Sequence, residues 1–527
     1  MKKTKKQRLF SILLAVSVLL SVSACSSAET SSSSSLHSGE ISSQQESSEN
    51  KEIRVMMPAR PEGPISNDLP FIQAISEKAD VTFQWELAPS DTAQYTEKFN
   101  ILIASGDMPD LMMNTDVKVL NNGGANGIFE DLLPLIEQGM PNVQKLLDER
   151  EDMKRTIMTD DGHIYYLPRI TAVKTYEMFL VRQDVLEKYN LEAPETTDEM
   201  YEFLKTLKGI DLNGNGEADE IPWTCRNKFP CLNGFFEPFG LFIKDEFFEE
   251  DGKVKFTFSD SRFRDGLEYV SKLYAEGLID GEFATNDIKV WESRVTNELS
   301  AITYDCFVRI DYLNNLVQQV NSDALFASIP PLKNAQGEQV TKDSQSAYSG
   351  GTAVNAKSDC KEAIMRLINW INSEEGTEVV NFGIEGETFV KKDGIYEYTD
   401  LIMKDSDSSG MSKLCQLGFR DKWPYQTSID YENAMNSDYQ NEQRDSYTQY
   451  IHGEKWPSSL TYTEEEQQII NSKYQEVKTY KDEMVNKFIM GVEPLDKFDE
   501  YVDTLNKIGL EEVLRVQQAA YDRYLAR

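Results

Sequence analysis

Glu52-Ile53-Arg54-Val55-Met56-Met57 opens the folded body, Pro70-Phe71-Ile72-Gln73-Ala74-Ile75 follows, and Val81-Thr82-Phe83-Gln84-Trp85-Glu86-Leu87 comes next. The first reads as a short strand stopped by Pro58, the second as the start of a helix, and the third, by its alternation, as another strand. A further helix spans about Thr92 to Ala104 and ends at Ser105-Gly106-Asp107, ahead of a third strand, Asp110-Leu111-Met112-Met113. A β-α-β-α-β order predicts a mostly parallel sheet with helices on its faces. Open sheets of this kind bind ligands beyond the carboxyl ends of their strands. Asn114, just past the third strand, is therefore a candidate ligand contact; a turn-forming asparagine is the alternative.

Working outward toward the carboxyl terminus, Tyr165-Tyr166-Leu167-Pro168-Arg169 leads to the strand Met178-Phe179-Leu180-Val181 and the helix Asp184–Tyr189. Thr197 is expected to cap a helix over Asp198–Leu207, and Ser358 one over Asp359–Ser373. The second of these carries Ile364, Leu367, Ile368 and Ile371 on one face, with Trp370 beside that apolar stripe as a core residue. A long helical region, Glu464–Met490, precedes helices over Lys497–Ile508 and Leu510–Tyr524. The sequence shows no internal repeat of the solenoid or propeller kind.

Toward the amino terminus, Lys2, Lys3, Lys5, Lys6 and Arg8 precede the apolar run Leu9-Phe10-Ser11-Ile12-Leu13-Leu14-Ala15-Val16, which continues to Ser23-Ala24-Cys25. A basic start, an apolar middle and small residues at the end mark residues 1–24 as a secretory signal peptide. The apolar stretch is short for a spanning helix, which needs about 20 residues. Residues 25–50, with twelve serines after Cys25, cannot bury enough apolar surface to order themselves and read as a disordered tether.

The chain has 527 residues, 54 basic and 89 acidic, giving a formal charge of −35; 40% is hydrophobic and 10% aromatic. That acidity argues against a nucleic-acid partner, which requires a positive footprint. Three histidines, His37, His163 and His452, stand far apart and build no evident metal or general-base centre. Beyond Cys25, five cysteines form no disulfide framework. Cys225 and Cys231 are close enough for one local bridge or can stay free, and Cys306, Cys360 and Cys415 read as small buried hydrophobes.

The sharpest motif is Asp211-Leu212-Asn213-Gly214-Asn215-Gly216-Glu217-Ala218-Asp219-Glu220. Oxygen side chains stand at loop positions 1, 3, 5 and 9, and glycine at position 6, the spacing by which an EF-hand-like loop wraps calcium. Asp211, Asn213, Asn215, Asp219, Glu220 and the Glu217 carbonyl supply the donors. Position 12 holds Pro222 in place of glutamate, so Glu220 substitutes from position 10. An Asx-rich turn is the alternative. The expected role of the Ca²⁺ is structural.

Val22-Ser23-Ala24-Cys25 resembles the lipobox of bacterial lipoproteins, in which the cysteine is lipidated and becomes the first mature residue. Other stretches resemble the large family-1 solute-binding lipoproteins of ABC importers in Gram-positive bacteria. They are Ala104-Ser105-Gly106-Asp107-Met108-Pro109-Asp110, Gly162-His163-Ile164-Tyr165-Tyr166-Leu167-Pro168 and the calcium loop ending Asp219-Glu220-Ile221-Pro222. Asn381-Phe382-Gly383-Ile384-Glu385-Gly386 and Gln518-Ala519-Ala520-Tyr521-Asp522-Arg523-Tyr524 continue the likeness. The resemblance implies a two-lobed, periplasmic-binding-protein-like (type II) α/β fold with a hinge and an interlobe cleft. One lobe would take 51–168 plus 326–384, the other 169–325 plus 385–527 with the calcium loop. It also implies a monomer, held on the extracellular face of the cytoplasmic membrane by palmitate-type acyl chains on Cys25. That monomer would capture an oligosaccharide and deliver it to permease subunits.

Sugars present apolar C–H faces and a rim of hydroxyls, so a cleft for them needs aromatic planes and planar polar side chains. Trp223, after the calcium loop, and Trp423, in Arg420-Asp421-Lys422-Trp423-Pro424-Tyr425, are the aromatic candidates, with core packing as the alternative for Trp223; Trp85 and Trp291 read as core. Arg60, Asp305, Arg309 and Glu385 are the polar candidates, with surface salt bridges as their alternative. A secreted, calcium-stabilised polysaccharide-cleaving enzyme, needing only two carboxylates, is the competing class. A receptor reporting to a sensor kinase is a third. No catalytic residue is assigned: the sequence lacks a Gly-x-Ser-x-Gly elbow, a His-Glu-x-x-His pair, a P-loop and a dinucleotide fingerprint.

Overall fold

β1 (Glu52–Pro58), β2 (Thr82–Ala88) and β3 (Leu111–Thr115) form where the sequence places strands, with β2 and β3 flanking β1 in parallel. Each parallel pair is joined through a helix, Pro70–Ala79 or Thr92–Ser105, because only a crossover connection returns the chain in the same direction. Asp91 starts the second of these helices by accepting from the Gln94 N–H at 3.0 Å, and Gly106, at φ 72°, ends it in a conformation that favours glycine. This computed structural model describes residues 51–527 apart from 172–175, 218, 227, 344–346, 405–408, 420–421, 454 and 458–459. The signal peptide, Cys25 and the serine-rich tether lie outside the described residues.

The chain continues through β4 (Leu167–Ile170), β5 (Glu177–Arg182), β6 (Trp223–Thr224), the hairpin β7 (Phe247–Glu250) and β8 (Lys253–Phe256), β9 (Ile302–Cys306) and β10 (Phe326–Ile329). β11 (Tyr348–Val354) then returns to the first sheet, and β12 (Phe389–Lys392) pairs with β13 (Ile395–Tyr398) as a second hairpin. The first sheet has the order β2-β1-β3-β11-β4 and the second β10-β5-β9-β6. β11 runs antiparallel to both neighbours, so β4 is parallel to β1, β2 and β3. In the second sheet β5 runs against β9 and β10, and β6 runs with β9.

Each sheet has its own core. Residues of β1 and β3 pack with Phe71, Ile75, Leu367 and Ile371 around the first. β5 is buried on both faces: Phe179 and Val181 join a core with the helices of the carboxyl-terminal tail, while Met178 and Leu180 join another with Trp291, Ile310 and Leu313. The chain passes between the sheets three times, after Ile170, after Ile329 and after Met435. Thr171 N–H donates to the Ala347 carbonyl at 2.8 Å, tying the first to the second, and Thr341 N–H to the Tyr450 carbonyl at 2.8 Å, tying the second to the third. Ile170 N–H donates to Tyr425 at 2.8 Å, and Thr427 N–H to Ile170 at 2.8 Å.

Phe389, Ile402, Leu414, Phe419, Trp423, Tyr425 and Tyr431 belong to the first core, whereas the resemblance places 385–527 with the second lobe. Aromatic contacts draw this stretch there: Tyr396 stacks on Phe382 at 3.9 Å, and Trp423 sits edge-on to Phe71, Phe83 and Trp85. Helix starts move too. Thr196, not Thr197, caps Thr197–Lys208 in a capping box with Glu199. Ser358 accepts from the Cys360 N–H at 3.0 Å and donates to Asp110 at 2.7 Å, ahead of the helix Lys361–Ile371. Trp370 is only partly buried and donates to Glu375 at 3.1 Å. The long tail helix is interrupted by a π turn at Ile470–Tyr474. Cys225 and Cys231 are bridged; Cys306 and Cys415 are half-buried and Cys360 is buried. Among the described residues, no helix is long and apolar enough to cross a membrane.

Candidate ligand-binding site

The crossing segments meet both sheets at the same kind of rim. β4 ends at Ile170 where β11 begins at Tyr348, and the two residues are register partners. β5 begins at Glu177 opposite Cys306, the last residue of β9. The carboxyl ends of β1, β3 and β4 on one sheet, and of β6, β9 and β10 on the other, are thus the ends the crossings join. By the general rule for open α/β sheets this is where a ligand belongs.

On the first rim a shallow recess of about 60 Å³, open to solvent, is lined by Pro58, Ser90, Tyr95, Phe99, Asn114 and Asp116 among others. Tyr95 is buried and fixes the wall: its hydroxyl donates to the Met113 carbonyl at 3.0 Å and lies 3.0 Å from Thr115 Oγ1. Asn114 sits exposed at φ 56°, in the left-handed region that asparagine tolerates better than most residues. Gly350 of β11 makes this possible, since a Cβ there would lie 2.7 Å from Asn114 Oδ1. Asp116 begins the helix Val117–Ala125; its Oδ1 accepts from Lys118 N–H at 2.9 Å and Val119 N–H at 3.4 Å. Arg60, past the end of β1, donates to the Cys415 carbonyl.

The second rim is charged but internally paired. Asp305, 1% exposed, receives Arg226 in a two-pronged pair, Nε to Oδ2 at 2.6 Å and Nη2 to Oδ1 at 2.8 Å. Arg226 lies over Trp291, 5.7 Å from the ring centre. Glu177 pairs with Lys244 through Oε1, while its buried Oε2 has no partner; burial raises its carboxyl above the ordinary value. Arg309 follows β9 in a half-buried turn, its guanidinium 5.0 Å from the Tyr312 ring. Deeper in, Glu237 accepts at Oε1 from Asn233 at 2.8 Å, Thr341 at 2.6 Å and Tyr304 at 3.3 Å.

Four of the expected contacts therefore stand at the strand ends: Arg60, Asn114, Asp305 and Arg309. Trp223 and Trp423 do not; each is 0% exposed, within the second and first cores respectively. Glu385 lies on an exposed turn before β12, contributed by neither rim. Asp116, Glu177, Arg226 and Lys244 were missed. Asp116 carries a readable signal, an aspartate between a strand and a helix. The other three come together only through register.

The Asp211–Glu220 loop folds around its own oxygens. Asp211 accepts from Asn215 N–H at 3.1 Å and Gly216 N–H at 2.9 Å, and Asn213 from Asn215 N–H at 3.0 Å. Asn215 Nδ2 donates to the two Asp219 oxygens at 3.3 and 3.4 Å. Gly214 and Gly216 are both at positive φ, 70° and 81°. Glu220 is turned away, accepting from Leu212 N–H at 2.8 Å, and no group of three or more acidic, histidine or cysteine side chains able to hold a metal forms among the described residues. The donors are all hard oxygens, which fits calcium chemically; a full shell needs Asn215 and Glu220 to reorient.

Residues 68–378, more than half of the chain, match the model of the bacterial extracellular solute-binding proteins, and the chain belongs to that family. It is 33% identical over 270 residues to the fructooligosaccharide ABC transporter substrate-binding protein FusA of Streptococcus pneumoniae. That match spans 48% of this chain and 48% of FusA, so the chain covers about half the length of this relative. It is 25% identical over 370 residues to lipoprotein LipO of Bacillus subtilis, across 67% of this chain and 71% of LipO. Among solved structures, the alginate-binding protein AlgQ2 without calcium ion superposes with a TM-score of 0.71 at 25% identity, across 89% of this chain and 98% of that one. An EF-hand mutant of FusA with fructo-nystose gives 0.70 at 23% identity, across 90% of this chain and 100% of that one. The architecture is the mixed α/β, periplasmic-binding-protein-like fold of these sugar-binding proteins.

Proposed function

We propose that this chain is a lipid-anchored receptor on the extracellular face of the cytoplasmic membrane that captures an oligosaccharide and hands it to the permease of an ABC importer. The observation that carries the reading is the junction of two polar rims, one with the Asn114–Asp116 recess and one with the Asp305–Arg226 pair, by crossing segments. The names of FusA and AlgQ2 support a carbohydrate ligand, and the name of LipO supports an anchor at Cys25. The lobes follow the two cores, one around the first sheet and extended by 389–431, the other around the second sheet and the tail.

Capture works by population shift: the ligand must bind the closed arrangement more tightly than the open one. The sugar leaves unaltered. In support, Asp305 and Glu177 at the rim are engaged by cations and not poised as an acid–base pair across a glycosidic bond. A thermal-shift screen against a panel of oligosaccharides, with mass analysis of the recovered ligand, tests this. Stabilisation with intact ligand is expected; shortened products would establish the hydrolase instead. The Asp211–Glu220 loop is proposed to hold a structural Ca²⁺, supported by its all-oxygen donors and by the EF-hand named in the FusA mutant.

A further inference from the structure

Resting on the oligosaccharide reading above, the recess at the carboxyl ends of β1–β3 also indicates which chemical class of sugar it takes. None of its nine lining residues is cationic, and Asp116 is the one carboxylate among them. Arg169, one residue before the end of β4, is not part of the lining. The amino end of the helix Val117–Ala125 opens at this recess, and such an end ordinarily favours an anion. Here the chain supplies that anion itself, since the Asp116 carboxylate already takes the Lys118 and Val119 N–H groups. A sugar carboxylate entering the recess would meet a like charge with no lining cation to offset it. On the second rim Arg226 and Lys244 are each held by a buried carboxylate, and the net charge of −35 adds to the bias. Hydroxyls meet the reverse situation: they can donate to Asp116 and exchange hydrogen bonds with Asn114 and Ser90.

We propose that this subsite selects uncharged sugar rings and that Asp116 is the residue that excludes uronates. Isothermal titration of the full chain with 1-kestose, nystose and maltotetraose, against trigalacturonate and trimannuronate, tests it. The expected result is binding of at least one uncharged probe at least tenfold more tightly than either uronate. Asp116→Asn keeps a helix-capping side chain without the charge and is expected to narrow that preference at least tenfold by strengthening uronate binding. Should that variant fail to fold, Asp116→Ser, another capping residue, carries the same measurement. Uronates binding the wild type as tightly as uncharged sugars would overturn the inference and leave the receptor reading standing. An unchanged preference in the folded variants would overturn the part assigned to Asp116. No binding to any probe would remove the receptor reading and this inference with it.

Discussion

Glu237 is a carboxyl group enclosed by its own fold: three donors converge on one oxygen, and burial pushes its pKa up to about 8 from an ordinary value of 4.5. Glu177 adds to the rise, while Lys244, Tyr304 and Thr341 oppose it. Between those two values the unfolded chain has lost a proton that the folded chain keeps. The stability tied to this proton is therefore full below about pH 4.5 and is lost as the pH rises toward 8. Glu237→Gln keeps the accepting oxygen and removes the titration. Its melting temperature is expected to fall less than that of the wild type across this window, as followed by circular dichroism. Parallel curves would show that Glu237 is already ionised in the folded chain.

At the scale of elements, helix ends and the Asp211–Glu220 loop bear on the stability of the second core. Thr196→Ala deletes the capping box of Thr197–Lys208 and is expected to cost about 1 kcal/mol, read from the urea midpoint. This helix buries Met200, Phe203, Leu204 and Leu207, so the loss transmits to the second core. The loop follows directly. With calcium at ten times its dissociation constant, binding would contribute about 1.4 kcal/mol. Excess EGTA is expected to lower the melting temperature while leaving sugar recognition in place, and Asp211→Ala to abolish the response to EGTA. A melting curve indifferent to chelation would count against the metal.

Across the whole molecule, Asp160 joins the two cores. It follows Met153 and Ile157 of the first core and accepts from Arg523 at 2.8 Å, Arg527 at 2.7 Å and Thr461 at 2.9 Å, all in the tail that packs on the second. Burial works against the charge on Asp160, yet Arg527, Thr461 and Arg523 outweigh it and hold the carboxyl below its usual range. The Arg527 side chain is 3% exposed, so removing its partner leaves a buried cation. Asp160→Ala is expected to cost about 2 kcal/mol, reduced to the extent that solvent reaches the site, and to enlarge the radius of gyration in solution scattering. An unchanged radius would show that Asp160 is not needed to hold the two cores together.

The amino-acid sequence by itself determined the local order. Short β runs set β1 and β3, alternation set β2, the apolar stripe set the helix Lys361–Ile371, and the spacing of oxygens and glycines marked the metal-like loop. These are properties of neighbours within one turn or one strand, where period and propensity act directly. The family too was legible, because its cues recur in a fixed order along the chain. Tertiary structure alone decided the rest. Trp223 and Trp423 became core because aromatic surface is buried wherever a sheet can receive it, which sequence spacing does not reveal. The stretch 389–431 joined the first core for the same reason. Arg226 met Asp305, and Lys244 met Glu177, across 79 and 67 residues of separation, because strand register and a crossover placed them there. Charge pairing at such range depends on the final distance between atoms, a quantity that only the assembled sheet defines.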